Sequence, residues 1–186
     1  MPAARLAAFI TTISLSVTAV AETDETYLRL QELDDQIAAI TEREGIFSTD
    51  LFDPLMEAGR LRLERGLYDE AEDNLHQAQN ISHRAEGVYS LKQLAAVNLL
   101  AKISILEEEY GLANRQKKFA HFVATHALDP DDPAYLNAYV DLARWYLATD
   151  QARRARDLLG EAAGLAEENG MDPLPWQIMI LSLIHI

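Results

Sequence analysis

Small residues recur along this chain at intervals of 42, and that spacing restricts its possible folds more than any other feature. Ala71, Ala113 and Ala155 form one series, Ala78, Ala120 and Ala162 a second, and Gly59, Ala101 and Ala143 a third. Larger apolar residues keep the same interval: Leu61, Ile103 and Trp145; Leu63, Ile105 and Leu147; Ile81, Val123 and Leu165; Phe52, Leu94 and Leu136. A unit of this length cannot bury its apolar face alone, so copies must stack against one another. The 186 residues include no cysteine, so the stack has to be held by packing rather than by cross-links.

Within each interval the pattern reads as two helices. Before the first full unit, residues 26–43 place Tyr27, Leu30, Leu33, Ile37 and Ile40 on one face of an amphipathic helix. The turn Glu44-Gly45-Ile46-Phe47-Ser48 then recurs as Glu86-Gly87-Val88-Tyr89-Ser90. Its glycine accepts the positive φ that ends a helix, and its serine is placed to cap the next one. Ser90 and Gln93 have the spacing of a capping box. In the third copy Asp132 takes the N-cap and Pro133 the first helical position, and Pro175 marks a fourth start. First helices are predicted over about 49–65, 91–109 and 133–149, and second helices over about 68–84, 111–127 and 152–169. Junctions of about two residues force successive helices to run antiparallel, and no strand-like alternation of useful length occurs. The fold class is all-α.

Gly59, Leu63, Gly66, Tyr68, Ala71, Leu75 and Ala78 resemble a tetratricopeptide repeat (TPR). That pattern has a small residue in helix A, a glycine and an aromatic at the turn, and two small residues in helix B. The second unit keeps Ala101, Tyr110, Ala113 and Ala120, but has Glu108 where glycine is usual and Lys117 where a large apolar residue is usual. The third keeps Ala143, Tyr146, Ala155, Leu159 and Ala162, with Ala152 in the aromatic place. The resemblance implies an α-solenoid of antiparallel helix pairs in a right-handed stack, with longer units than the common form of about 34 residues. The repeat domain is expected over 22–180: a half unit at 26–43, units at about 49–84, 91–127 and 133–169, and a partial unit at 175–180. Close helix approach accounts for the small residues: Gly59 and Ala71 where the two helices of a unit meet, Ala78 against the next unit's first helix.

Charge and the two ends bear on function. A net charge of −14 opposes a nucleic-acid backbone or an anionic membrane surface as the main partner. Arg5, the apolar run Leu6 to Val17 and Ala19-Val20-Ala21 have the order of a signal peptide cleaved after Ala21, with an uncleaved anchor as the alternative. Residues 1–21 are therefore expected to be a leader, the rest to be exported to a bacterial periplasm, and no stable membrane span to remain after cleavage. Residues 181–186, Leu-Ser-Leu-Ile-His-Ile, resemble the translated end of a sequencing-library adapter, which implies a foreign tail and a longer natural chain.

Catalytic chemistry has no visible seat: there is no phosphate loop, nucleophile elbow or thiol. Among His76, His83, His121, His126 and His185, only His76 and His83, seven apart, could share a face, but no further ligand repeats at matching places in other units, and Glu72 with His76, an i,i+4 pair, suits a solvated helix contact better than a metal site. No metal, cofactor or enzymatic activity is expected. Arg60, Lys102 and Arg144, 42 apart, predict a basic ladder on the helix-A surface. In the resembled family that surface lines a concave groove for peptides, which Asn98, Asn137 and Met56 would share. The groove is expected to hold an extended or helical protein segment, with the ladder pairing its acidic side chains or terminal carboxylate. The alternative is a solvated face on which the three cations neutralise neighbours such as Glu57 and Asp141. The functional reading is a non-catalytic interaction scaffold, or the N-terminal interaction arm of a longer enzyme or envelope-assembly factor.

Overall fold

A computed structural model describes residues 25–183. The predicted leader and the last three residues of the adapter-like tail, His185 among them, lie outside that range. Helix α1 covers 25–44. A 3-10 turn at Thr49–Leu51 leads into α2 (Phe52–Glu64), followed by α3 (Tyr68–Glu86), α4 (Gln93–Leu106), α5 (Tyr110–Ala127), α6 (Pro133–Ala148), α7 (Ala152–Glu168) and α8 (Leu174–Leu183). Each of α2 to α7 packs on the next helix in sequence, and the first helices α2 and α4 also touch. This is an all-α solenoid of helix pairs.

The turn inside each unit shows why its length is invariant. Gly66, Glu108 and Asp150, 42 apart, all adopt the left-handed conformation, with φ of 74°, 62° and 58°. The following amide reaches back to the same helical carbonyl each time: Leu67 to Arg62, Glu109 to Ser104 and Gln151 to Tyr146, at 2.7–2.9 Å. These are Schellman closures, which satisfy carbonyls that a helix end would otherwise leave unpaired. Glu108 and Asp150 hold a conformation that suits glycine, so the closure outweighs a local backbone cost of about 1–2 kcal/mol at each.

The turns between units are less uniform. Gly45 and Gly87 both take φ of 88°. Ser48 accepts from the Asp50 amide and Asp132 from the Ala134 amide, so both act as caps. The capping box expected at Ser90 and Gln93 is not made. Ser90 donates its hydroxyl to the Glu86 carboxylate, and the Gln93 side-chain amide donates to the Val88 carbonyl at 2.6 Å. Gln93 occupies the position of fully buried Leu51 and is itself fully buried, so its side chain turns inward instead of back to the helix start.

The core runs along the stack as linked clusters. Leu30 and Leu33 of α1 meet Ala58 of α2; Leu63, Ala71 and Leu75 meet Leu100 and Ile103 of α4. Val140, Ala143, Trp145 and Tyr146 pack with Ala113, Ala155 and Leu159, and Trp176 of α8 lies against them. A Cβ added at Gly59 would come within 2.8 Å of the Leu75 side chain, which explains the small residue there by close approach of α2 and α3. Ala78 clusters with Ile40, Leu51, Leu55 and Ile81, from its own unit and the preceding helix.

Candidate functional site

The repeat breaks most sharply on α5. Leu75 and Leu159, at equivalent positions in α3 and α7, are wholly buried and fill the space between the helices of their units. The intervening copy is Lys117, which is only half-buried. Its ammonium cannot be left in an apolar core without a large desolvation cost, so the side chain reaches outward. The neighbouring small residue follows the same break: Ala78 and Ala162 are fully buried, whereas Ala120 is partly exposed.

A cleft of about 170 Å³ opens there. Leu94 and Asn98 of α4 form one wall, Ala134, Asn137 and Ala138 of α6 the other, and Lys117, Ala120, His121 and Ala124 of α5 the floor. Lys117 Nζ lies 3.4 Å from Asn98 Oδ1 and, among the described residues, is paired with no carboxylate. His121 Nδ1 is 3.2 Å from the Ala138 carbonyl, an acceptor only, so Nδ1 carries the proton and Nε2 is the acceptor of the neutral ring. The ring stands edge-on to Tyr139 at 4.6 Å. Burial pushes the His121 pKa below its ordinary 6.5, partly countered by the hydrogen bond to Ala138, so the imidazole is neutral at pH 7. Burial also raises the Tyr139 phenol, whose hydroxyl is 3.5 Å from Glu161. The cleft thus offers an ammonium, two amides and a neutral imidazole among apolar side chains, with the Asp141 carboxylate, itself paired with Arg144, at its α6 wall.

Of the residues singled out from sequence, Asn98 and Asn137 come together in this cleft. Arg60, Lys102 and Arg144 are exposed on successive first helices, outside it. Arg60 pairs with Glu64 at 2.7 Å and Arg144 with Asp141 at 3.4 Å, while Lys102 has no ion pair among the described residues. Glu57, one expected neighbour of the ladder, is held instead by Arg29 of α1 at 2.7 Å, which depresses its pKa. Met56 is half-buried and packs into two core clusters. Lys117 and His121 were absent from the sequence-derived set. The departure of Lys117 from the apolar series is its signal, while no pattern marks His121. Among the described residues no three metal-ligating side chains converge, and no helix is long and apolar enough to cross a membrane.

No family model and no curated protein matches this sequence. Solved structures do resemble it. The nearly identical TPR-like repeats of a putative kinesin light chain from Podosopora anserina superpose with a TM-score of 0.64 at 18% identity, covering 79% of this chain and 70% of that one. A variant form of those repeats gives 0.63 at 18%, covering 79% and 69%. BtubC (BKLC) from P. vanneervenii gives 0.63 at 16%, covering 77% of this chain and 58% of its own length. The chain therefore has a TPR-like helical-repeat fold.

Proposed function

We propose that this protein is a non-catalytic interaction scaffold that holds a segment of another protein in the cleft between α4 and α6. The observation that carries this reading is Lys117. A leucine there would complete the core as Leu75 and Leu159 do, so the lysine gives up apolar packing and places a cation without a carboxylate partner in a recess. Asn98 and Asn137 flank it with amides that can bond either group of a peptide backbone, and Leu94, Ala120 and Ala134 supply apolar contact. An acidic side chain or a terminal carboxylate suits the ammonium. Lys102, on the exposed surface of α4, extends the positive field beyond the cleft. Export to the periplasm after cleavage at Ala21 belongs to the same proposal and rests on the leader sequence alone.

Selection of displayed dodecapeptides on the purified protein, followed by titration of the winners, tests it. Peptides enriched in Asp and Glu should bind, and Lys117→Leu should weaken them by about tenfold, equivalent to about 1.4 kcal/mol. Asn98→Ala with Asn137→Ala should act in the same direction. Selected peptides that bind Lys117→Leu as tightly as the parent protein would remove the cleft from the function.

A further inference from the structure

The chain carries 30 acidic and 16 basic side chains, yet α4 and α5 together hold Lys102, Arg115, Lys117 and Lys118 and not one carboxylate. No ion pair engages any of the four among the described residues; the bridges that do form lie on other helices or turns. Two of the four, Arg115 and Lys118, are not part of the cleft floored by Lys117. With Phe122 and His126 they follow one another at three- and four-residue steps, so they share the opposite, outward face of α5. Arg115, Lys118, Phe122 and His126 are all exposed.

An aromatic cluster closes one end of this stripe. Tyr89, from the turn before α4, stacks on His126 with ring centres 5.2 Å apart and planes within 4°. Phe122 lies 4.2 Å from His126 and 5.8 Å from Tyr89. Tyr89 and Phe122 nevertheless remain 46% and 40% exposed, so the cluster presents aromatic surface to solvent rather than filling a core. The first unit has a counterpart to one of these contacts, in which the Arg84 guanidinium lies over the Phe47 ring at 4.1 Å. It has no counterpart to the rest. The positions of Arg115, Lys118 and Phe122 are filled by Asp73, His76 and Asn80 in α3, and by Asp157, Gly160 and Gly164 in α7. Among these second helices, α5 alone combines an uncompensated positive row with an apolar end.

We infer that the outward face of α5 is a second docking surface, which takes an acidic segment of a partner protein bearing one large apolar side chain. The carboxylates lie along Arg115 and Lys118, and the apolar side chain lies on Tyr89, Phe122 and His126. The eleven-residue rise from Arg115 to His126 is about 16 Å, the reach of about five extended residues. That short reach also separates the surface from a phosphate-polymer site. Beyond the N-terminal end of α5, Glu72 of α3 stands near Glu107 and Glu109, whose charges help to raise its pKa, so a longer anionic track would meet repulsion there. This surface is independent of the cleft between α4 and α6.

Fluorescence anisotropy with a labelled peptide Glu-Asp-Glu-Asp-Gly-Leu provides the test. Binding to the full chain should weaken by about tenfold for Arg115→Glu with Lys118→Glu, and by a smaller factor for Arg115→Gln with Lys118→Gln, with helical circular dichroism unchanged. Phe122→Ser should weaken it about threefold, and a peptide ending in Gly in place of Leu should be insensitive to that change. Arg153→Gln, which removes an exposed cation of α7 outside both surfaces, should leave this peptide's affinity intact. Loss of binding with Lys117→Leu but not with the α5 charge reversal would overturn the inference and leave the cleft reading standing. Absence of binding by the parent protein, or tighter binding of a deoxythymidine 12-mer than of the peptide, would overturn it as well.

Discussion

The first and second units share a backbone plan but differ in what their second helices are for. In α3, Leu75 fills the space beside Gly59, Ala78 is sealed by Ile40, Leu51, Leu55 and Ile81, and the first turn carries Asp69 and Glu70. In α5 the same three places hold a half-buried lysine, a partly exposed alanine and a first turn without a carboxylate. The contrast teaches that the stack tolerates one weakly filled unit when its neighbours are well filled. Nearest-neighbour stacking lets a good interface on each side carry a poorer one between them. A residue that costs packing in a repeat is therefore the place to look for binding.

The largest effect should come from exchanging the roles of the two units. Leu75→Ala should lower the unfolding free energy by about 2–5 kcal/mol, because a fully buried side chain leaves a cavity. Lys117→Leu should raise it by about 0.5–2 kcal/mol by completing the α5 interface. Chemical denaturation measures both. A stabilising effect of Leu75→Ala, or a loss from Lys117→Leu, would break the comparison.

A smaller effect is expected at the turn both units share. Gly66→Ala should destabilise and Glu108→Gly stabilise, each by about 1 kcal/mol, since both positions hold φ near the left-handed value. Melting temperatures of the two variants, moving in opposite directions, would establish that the Schellman closure and not side-chain contact dictates this turn. Glu108 is exposed, so little packing is lost when its side chain is removed.

The smallest effect is a pH dependence confined to the second and third units. The folded state holds His121 below its ordinary pKa of 6.5, so the unfolded chain takes up a proton there first. The stability associated with the neutral ring is complete above about pH 6.5 and is lost progressively as the pH falls from there through the folded pKa. His121→Gln should flatten the stability profile over that window relative to the parent protein. Identical pH profiles for the two proteins would show that His121 is not held neutral by its burial against α6.

Much of the fold was legible because a helical repeat writes its packing into local spacing. The small residues Gly59 and Ala71, the turn residues Gly45 and Gly87, and the cap at Asp132 each belong to a pattern readable within one unit. Gln93 shows where local reasoning failed. Its spacing from Ser90 suits a capping box, but it stands at a buried position, and burial decided its orientation. The basic ladder shows the other limit. Its 42-residue beat is real, yet whether Arg60 and Arg144 stay free depends on Glu64 and Asp141 meeting them on their own helices.

By itself the sequence determined the period, the helix pairs, the turns and the break at Lys117, because each is a matter of neighbouring residues and their backbone preferences. Only the tertiary structure decided that Asn98, Lys117, His121 and Asn137 share one cleft and that Tyr89 meets Phe122 and His126 on the opposite face of α5. Those groups come from different elements, and the distance between them is set by how the helices stack, which no spacing along the chain records.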